Sequence, residues 1–105
     1  MKEVHIGVVL ERSGPFSLDE LCGICGLDRD WVIELVEHGA LEPLGSEPAR
    51  WRFSGAAAAR SRRARRLQQD LELDMAGLSL ALDLLDEVRV LRRRVHDLET
   101  LRGRY

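Results

Sequence analysis

Apolar residues recur at helical spacing along much of this chain, and residues suited to cap or break helices punctuate the intervals. Ser17 followed three residues later by Glu20 forms a capping box and predicts a helix start. The helix it opens, Leu18 to Cys25, carries Leu18, Leu21, Cys22 and Cys25 on one face, and Gly26 ends it. Asp28 is a second N-cap candidate, ahead of an apolar face of Trp31, Val32, Leu35 and Val36, with Gly39 placed to take a left-handed helix-ending conformation. Two short helices joined by a tight, glycine-containing turn read as a helix-turn-helix. The next stretch has Pro43, Gly45 and Pro48 at turn positions and then the alternating run Arg50-Trp51-Arg52-Phe53, which predicts a wing of two short strands around a loop. Before all of this, His5 to Leu10 is a short β-branched run expected to be a strand or extended segment, broken by Ser13-Gly14-Pro15.

From Ser54 onward the pattern is helical throughout. Ser54 caps a predicted helix over 55–73, with Ala57, Ala64, Leu67 and Leu71 as its inward side. Asp74 caps a second helix, 75–101, roughly 40 Å long at ~1.5 Å per residue. Its first half is apolar on more than one side, through Leu78, Leu80, Leu82, Leu84 and Leu85, so it should be covered from several directions. Its second half narrows to a seam of Leu84, Val88, Leu91, Val95 and Leu98, flanked by Glu87, Arg92, Arg94 and Glu99. Alternating spacings of four and three beside charges are those of a coiled coil, so the chain is expected to form a homodimer through this seam. Valine at one core position with leucine at the other favours parallel pairs in isolated peptides, but so short a seam in a packed domain leaves the orientation open. The fold class is therefore all-α with a small β wing: a winged helix-turn-helix over 1–54 and a two-helix dimerisation region over 55–105.

Composition and charge refine this picture. At 105 residues and 45% hydrophobic content the chain holds one core, and a partner subunit is a natural source of further burial. No long apolar run exists and the N-terminus carries charges beside its short apolar stretch, so neither a membrane span nor a signal peptide is expected and the location is expected to be cytoplasmic. The formal charge of −2 is divided unevenly. Residues 1–54 contain ten acidic and five basic side chains, whereas residues 55–105 contain eight acidic and eleven basic. The half that looks like a DNA reader is thus the acidic half, and phosphate neutralisation is the main source of nonspecific DNA affinity.

Candidate chemistry is sparse. Cys22 and Cys25 form a single C-x-x-C with no second pair and no nearby histidine, and both fall on an apolar helix face, so core packing outweighs redox or metal binding. His5, His38 and His96 share no carboxylate or nucleophile at a recognisable spacing, and no phosphate loop, nucleophile elbow or metalloprotease helix is present. No catalytic residue, metal or cofactor is expected. Trp31 and Trp51 read as core residues, Trp31 packing the second helix on the first and Trp51 anchoring the wing. Arg60, Arg62, Arg63, Arg65 and Arg66 spread around their helix, which favours a solvated or salt-bridged face over a phosphate grip, with Asp70, Glu72 or a neighbouring subunit as counter-charges.

A winged helix-turn-helix, a further helix and a long terminal coiled-coil helix follow one another as in MerR-like proteins. Within that frame, Leu71, Leu73, Asp74, Gly77, Leu78, Ala81, Leu82, Leu84, Leu85, Asp86 and Val88 resemble the second half of the CbpM chaperone-modulator family. Glu37-His38-Gly39-Ala40-Leu41-Glu42-Pro43 and Trp51-Arg52-Phe53 resemble it as well, and the likeness covers roughly residues 16–98. The resemblance implies a protein that binds the J-domain of a DnaJ-like co-chaperone of the CbpA type and inhibits it. The alternative is a MerR-type DNA-binding transcriptional regulator. Such regulators carry an Arg-Tyr-Tyr group in the recognition helix, where this chain has Ile33, Glu34 and Leu35. Its second helix holds a single arginine against Asp28, Asp30, Glu34 and Glu37, and carboxylates repel phosphates. DNA contact, if it exists, is expected from Arg50, Arg52, Arg62, Arg63 and Arg66. J-domains of DnaJ-like proteins present a basic second helix, so Asp30, Glu34 and Glu37 are the residues expected to meet one. The bland reading of the same carboxylates is a solvated face with a favourable helix-dipole bias.

Overall fold

The computed structural model describes residues 9–103. After a helical turn at 9–11 come α1 (Leu18–Cys25), α2 (Arg29–Glu37), a 3-10 turn (Pro48–Arg50), α3 (Gly55–Leu71) and α4 (Met75–Arg102). His5 to Val8 of the expected N-terminal strand lie outside the described residues. Its last two, Val9 and Leu10, are helical, and Leu10 is buried against the core.

Helix starts follow local chemistry. Ser17 Oγ accepts from the Glu20 amide at 3.1 Å while the Glu20 carboxylate accepts from the Ser17 amide at 2.9 Å. Two otherwise orphaned donors are thereby satisfied. Ser54 and Asp74 cap α3 and α4 in the same way, accepting from the amides of Ala57 and Gly77. Asp28 departs from expectation: it occupies the N-cap of α2, but its side chain makes no capping hydrogen bond. Helix ends match the glycines, with Gly26 and Gly39 at φ 64° and 74°. By contrast α3 stops at Leu71, two residues early, because Glu72 takes a left-handed conformation (φ 52°) and returns its amide to the Gln68 carbonyl. Leu71 is consequently 60% exposed and is no part of the inward face.

The expected wing of two strands is not formed. Leu44 and Arg52 exchange a pair of backbone hydrogen bonds at 2.9 and 2.8 Å, and this isolated bridge is the whole of the pairing at that point. Pro43 and Pro48 have no amide hydrogen to give a ladder, and the segment between closes through the 3-10 turn. A second bridge, between Phe16 and Phe53 at 2.7 Å in both directions, holds the entrance of α1 to the entrance of α3. Trp51 is buried as expected and meets Phe53 edge to face, ring centres 5.9 Å apart.

The core gathers Leu21, Val32, Leu35, Phe53, Leu78 and Leu82 as its most deeply buried large side chains. α3 meets it with small residues, Gly55, Ala58, Ala59, Ser61 and Ala64, and the buried Ser61 hydroxyl donates to the Ala57 carbonyl at 2.9 Å. Trp31 is half-buried against the core and is also tied to α3: its Nε1 donates to Gln68 Oε1 at 2.7 Å, and the Arg65 guanidinium lies 5.5 Å above its ring. α4 follows the body only at its start and then projects, so every described residue from Glu87 onward is exposed.

The closest backbone approach lies at Gly55. A Cβ there would stand 2.0 Å from the Leu10 carbonyl oxygen and 2.5 Å from that of Ser13. Gly55→Ala is therefore expected to destabilise the fold by about 1–3 kcal/mol, since backbone must move to admit one methyl group. Urea unfolding checks this, and a midpoint equal to that of the parent would show that the 9–13 segment is not seated here.

Candidate functional site

On α2 the buried side chains, Val32 and Leu35, and the carboxylates occupy opposite sides. Asp30, Glu34 and Glu37 fall within about 60° of arc at ~100° per residue, and all are exposed. None of the three has an ion-pair partner among the described residues. The single arginine of the helix, Arg29, is instead held by Asp19 of α1. The stripe is therefore an uncompensated patch of negative charge. Arg65 overlies Trp31, whose position at the edge of this stripe is fixed by the Gln68 bond.

The arginine-rich stretch divides by role. Arg60 is largely buried and joins three elements: its Nε donates to the Ala40 carbonyl at 2.7 Å, and its Nη1 donates to both Asp86 carboxylate oxygens at 2.8 and 2.7 Å. Asp83 adds a longer contact at 3.9 Å. The counter-charges thus come from α4 of the same chain, not from Asp70 or Glu72. Periodicity alone could not reveal this pairing, because its partners lie 26 residues apart. Arg62, Arg65 and Arg66 line a small cleft with Cys25 and Leu27, and Arg62 and Arg66 are both engaged in interactions. Arg63 is half-buried on the opposite flank, beside Arg60. Burial and the neighbouring Arg89 and Arg60 charges lower its pKa, while Glu11 and Asp86 oppose the shift. Arg50 and Arg52 are exposed on the segment where the wing was expected. The five arginines named for nucleic acid therefore do not form one continuous surface stripe.

Cys22 and Cys25 are half-buried and packed against the core. Burial pushes both thiols up from their ordinary pKa, with Arg62 pulling weakly in the other direction at Cys25. A raised pKa depletes the reactive thiolate, in keeping with a packing role. No group of three or more metal-ligating side chains occurs among the described residues.

The seam on α4 is apolar and open. Leu84, Val88, Leu91, Val95 and Leu98 are between 39% and 64% exposed. Leu78 and Leu82, which do enter the core, lie roughly 140° around the helix from it. A shallow groove of about 310 Å³ follows the seam, lined by Val88, Leu91, Val95 and the flanking Arg92, His96 and Glu99. No helix among the described residues is long and apolar enough to cross a membrane.

Residues 16–100 match the family model described as MerR HTH family regulatory protein. The chain is 41% identical over 98 residues to a chaperone modulatory protein CbpM of Coxiella burnetii (strain Dugway 5J108-111), covering 93% of this chain and 92% of that protein. It is 45% identical over 85 residues to the chaperone modulatory protein CbpM of Pseudomonas entomophila (strain L48), covering 81% of this chain and 84% of the relative. These relatives are named as modulators, and the matching model describes regulators.

Asp86, one of the residues that carried the family resemblance, is the counter-ion of Arg60. Arg60→Ala is expected to cost about 2–3 kcal/mol, because it strands the Ala40 carbonyl and the Asp86 carboxylate together. In a double-mutant cycle with Asp86→Ala the two losses should fall short of adding. Strict additivity in denaturant unfolding would show that the pair is not coupled.

Proposed function

The chain belongs to the CbpM chaperone-modulator family, on a MerR-type helix-turn-helix, and from that membership we propose that it binds the J-domain of a DnaJ-like co-chaperone of the CbpA type and inhibits it. The supporting observation is the unpaired carboxylate stripe of Asp30, Glu34 and Glu37 on the outward side of α2. The family resemblance implies a J-domain as the target, and a J-domain is expected to present a basic second helix. A stripe of carboxylates held on a rigid helix is complementary to such a surface. Complementary fields of this kind raise the encounter rate and choose the partner more than they set the final affinity. Inhibition follows from occupancy, since the basic helix cannot serve its ordinary partner while covered. The protein works as a cytoplasmic binding module in this reading and not as an enzyme.

The MerR likeness supplies the second reading, a DNA-binding regulator. It is favoured by the exposed Arg50 and Arg52 beside the helix-turn-helix. It is weakened on α2 itself, where Arg29 is neutralised by Asp19 and the outward face is acidic. A helix entering the major groove needs the opposite sign of charge.

The open seam of α4 supports a homodimer. Five large apolar side chains in register beside Glu87, Arg92, Arg94 and Glu99 are a face that water does not stabilise. A second copy offering the same face is the simplest cover.

Two measurements test the J-domain contact and the dimer. Charge reversal at Glu34 and Glu37 (E34K with E37K) is expected to lower the association rate with the purified J-domain about tenfold and to flatten its salt dependence. Unchanged rates at every salt concentration, or a gel shift on DNA that survives 0.15 M salt without J-domain binding, would overturn the acidic-stripe reading. Sedimentation should give twice the 11.9 kDa chain mass, and Leu91→Asp should give the single chain with helix content otherwise kept. A parent protein that sediments as a monomer at micromolar concentration removes the dimer.

A further inference from the structure

Between the end of α2, the first turns of α3 and the middle of α4 lies a cleft of about 430 Å³. Gly39–Glu42 form one wall, Ala56, Ala57, Arg60 and Arg63 a second, and Asp83 and Asp86 the third. Within it the two arginines, one helical turn apart, are in opposite situations. Arg60 is saturated by Asp86 and the Ala40 carbonyl. Arg63 is half-buried in the same cleft, yet makes no hydrogen bond or ion pair within 4 Å among the described residues. After burial, the charges that act on it most are like-charged Arg89 and then oppositely charged Glu11. A half-buried guanidinium with no hydrogen-bond or ion-pair partner among the described residues, beside the like charges of Arg89 and Arg60 and with Glu11 and Asp86 acting in the opposite direction, can receive an anion that brings its own cation. The first turn of α3, the positive end of that helix's dipole, lies in the same wall and favours the same sign of ligand.

We propose that this cleft takes the carboxylate of an aspartate or glutamate on a partner protein's surface, presented beside a basic side chain. The carboxylate pairs with Arg63, and the basic neighbour is received by Asp83, which is 68% exposed and only loosely engaged by Arg60, and by the exposed Glu42. The three carboxylates lining the cleft decide the class of anion. A doubly charged phosphate would meet Glu42, Asp83 and Asp86 as repulsive neighbours, whereas a single carboxylate with its own cation matches both signs. The planar fork of arginine fits a carboxylate by two parallel hydrogen bonds, which gives the site geometric as well as charge selectivity. The framework is rigid, because the Arg60 bonds to Ala40 and Asp86 fix all three walls. The site stands apart from the carboxylate stripe on α2 and requires nothing of it.

The test uses the intact protein and a minimal probe, the blocked dipeptide N-acetyl-Lys-Asp-amide, followed by two-dimensional NMR of the backbone amides and arginine Nε groups. Saturable shifts are expected at Arg63 Nε and at the amides of Gly39 to Glu42. Arg63→Gln should weaken binding about tenfold, the loss of one charge-assisted pair, with Arg63→Lys intermediate and Arg89→Gln close to the parent. Thermal unfolding should be unchanged in Arg63→Gln, since that side chain has no hydrogen-bond or ion-pair partner to lose among the described residues. Inorganic phosphate and free lysine are the comparison ligands. Equal or tighter binding of phosphate would make the site a general anion pocket, and equal binding of free lysine would make it an amino-acid pocket; either result overturns the proposal. So would the absence of saturable shifts, or dipeptide binding that Arg63→Gln leaves untouched.

Discussion

The guanidinium of Arg60 is the fixture on which the arrangement of this molecule depends. It reaches out from α3, donates to both carboxylate oxygens of Asp86 on α4, and in the other direction donates to the carbonyl of Ala40 just beyond α2. Ala40 is itself buried, so that carbonyl has no water to turn to and would be a costly orphan without the arginine. A lysine could neutralise Asp86 but could not span two acceptors in a fixed plane. The hydrophobic contacts around it are non-directional: Val32 and Leu35 of α2 and Leu78 and Leu82 of α4 would tolerate small rotations of their helices. The arginine's hydrogen bonds do not. They set how far the helix-turn-helix is turned relative to the long helix, and so which way the outward face of α2 looks.

That dependence separates what the sequence made legible from what it hid. Features closed within one helical turn were readable: the Ser17–Glu20 box, the caps at Ser54 and Asp74, and the glycines at 26 and 39 each act over three or four residues. The apolar faces of α1 and α2 were readable for the same reason. Asp28 shows the limit even there, since N-cap position does not oblige the side chain to bond. Arg60–Asp86 and Trp31–Gln68 were hidden, because partners 26 and 37 residues apart obey no local spacing. The wing failed for a different reason. Alternation at Arg50-Trp51-Arg52-Phe53 is a real two-sided pattern, with Trp51 and Phe53 buried and the arginines exposed, but alternation specifies which side chains turn inward and not that a ladder forms. Burial was predicted correctly and strand pairing was not.

Helix α4 carries two apolar faces, one buried in the body of the protein and one exposed. Leu78 and Leu82 enter the body of the protein, while the seam that begins at Leu84 points elsewhere and stays open. The change occurs around Asp86, where the helix receives its last long-range tie from Arg60 and beyond which every described residue is exposed. A helix of this length would be marginal in water past that point without a cover for its apolar side. In the proposed dimer, covering the seam would serve α4's own stability as much as assembly.

The same economy applies to α2. In a DNA reader the outward face of this helix is basic because it must meet phosphates, and its fold is kept by residues on the inward face. Here the inward face retains the scaffold through Val32, Leu35 and the Trp31 tie, while the outward positions carry Asp30, Glu34 and Glu37. Nothing in the packing obliges those three to be acidic, since all are exposed and none forms an ion pair among the described residues. Three like charges on one exposed stripe repel one another, and only Asp30, in the first turn, gains from the helix dipole. Their placement is therefore a property of the surface more than of the core, and under the proposed function it is where a change of partner from nucleic acid to a basic protein would be made at least structural cost.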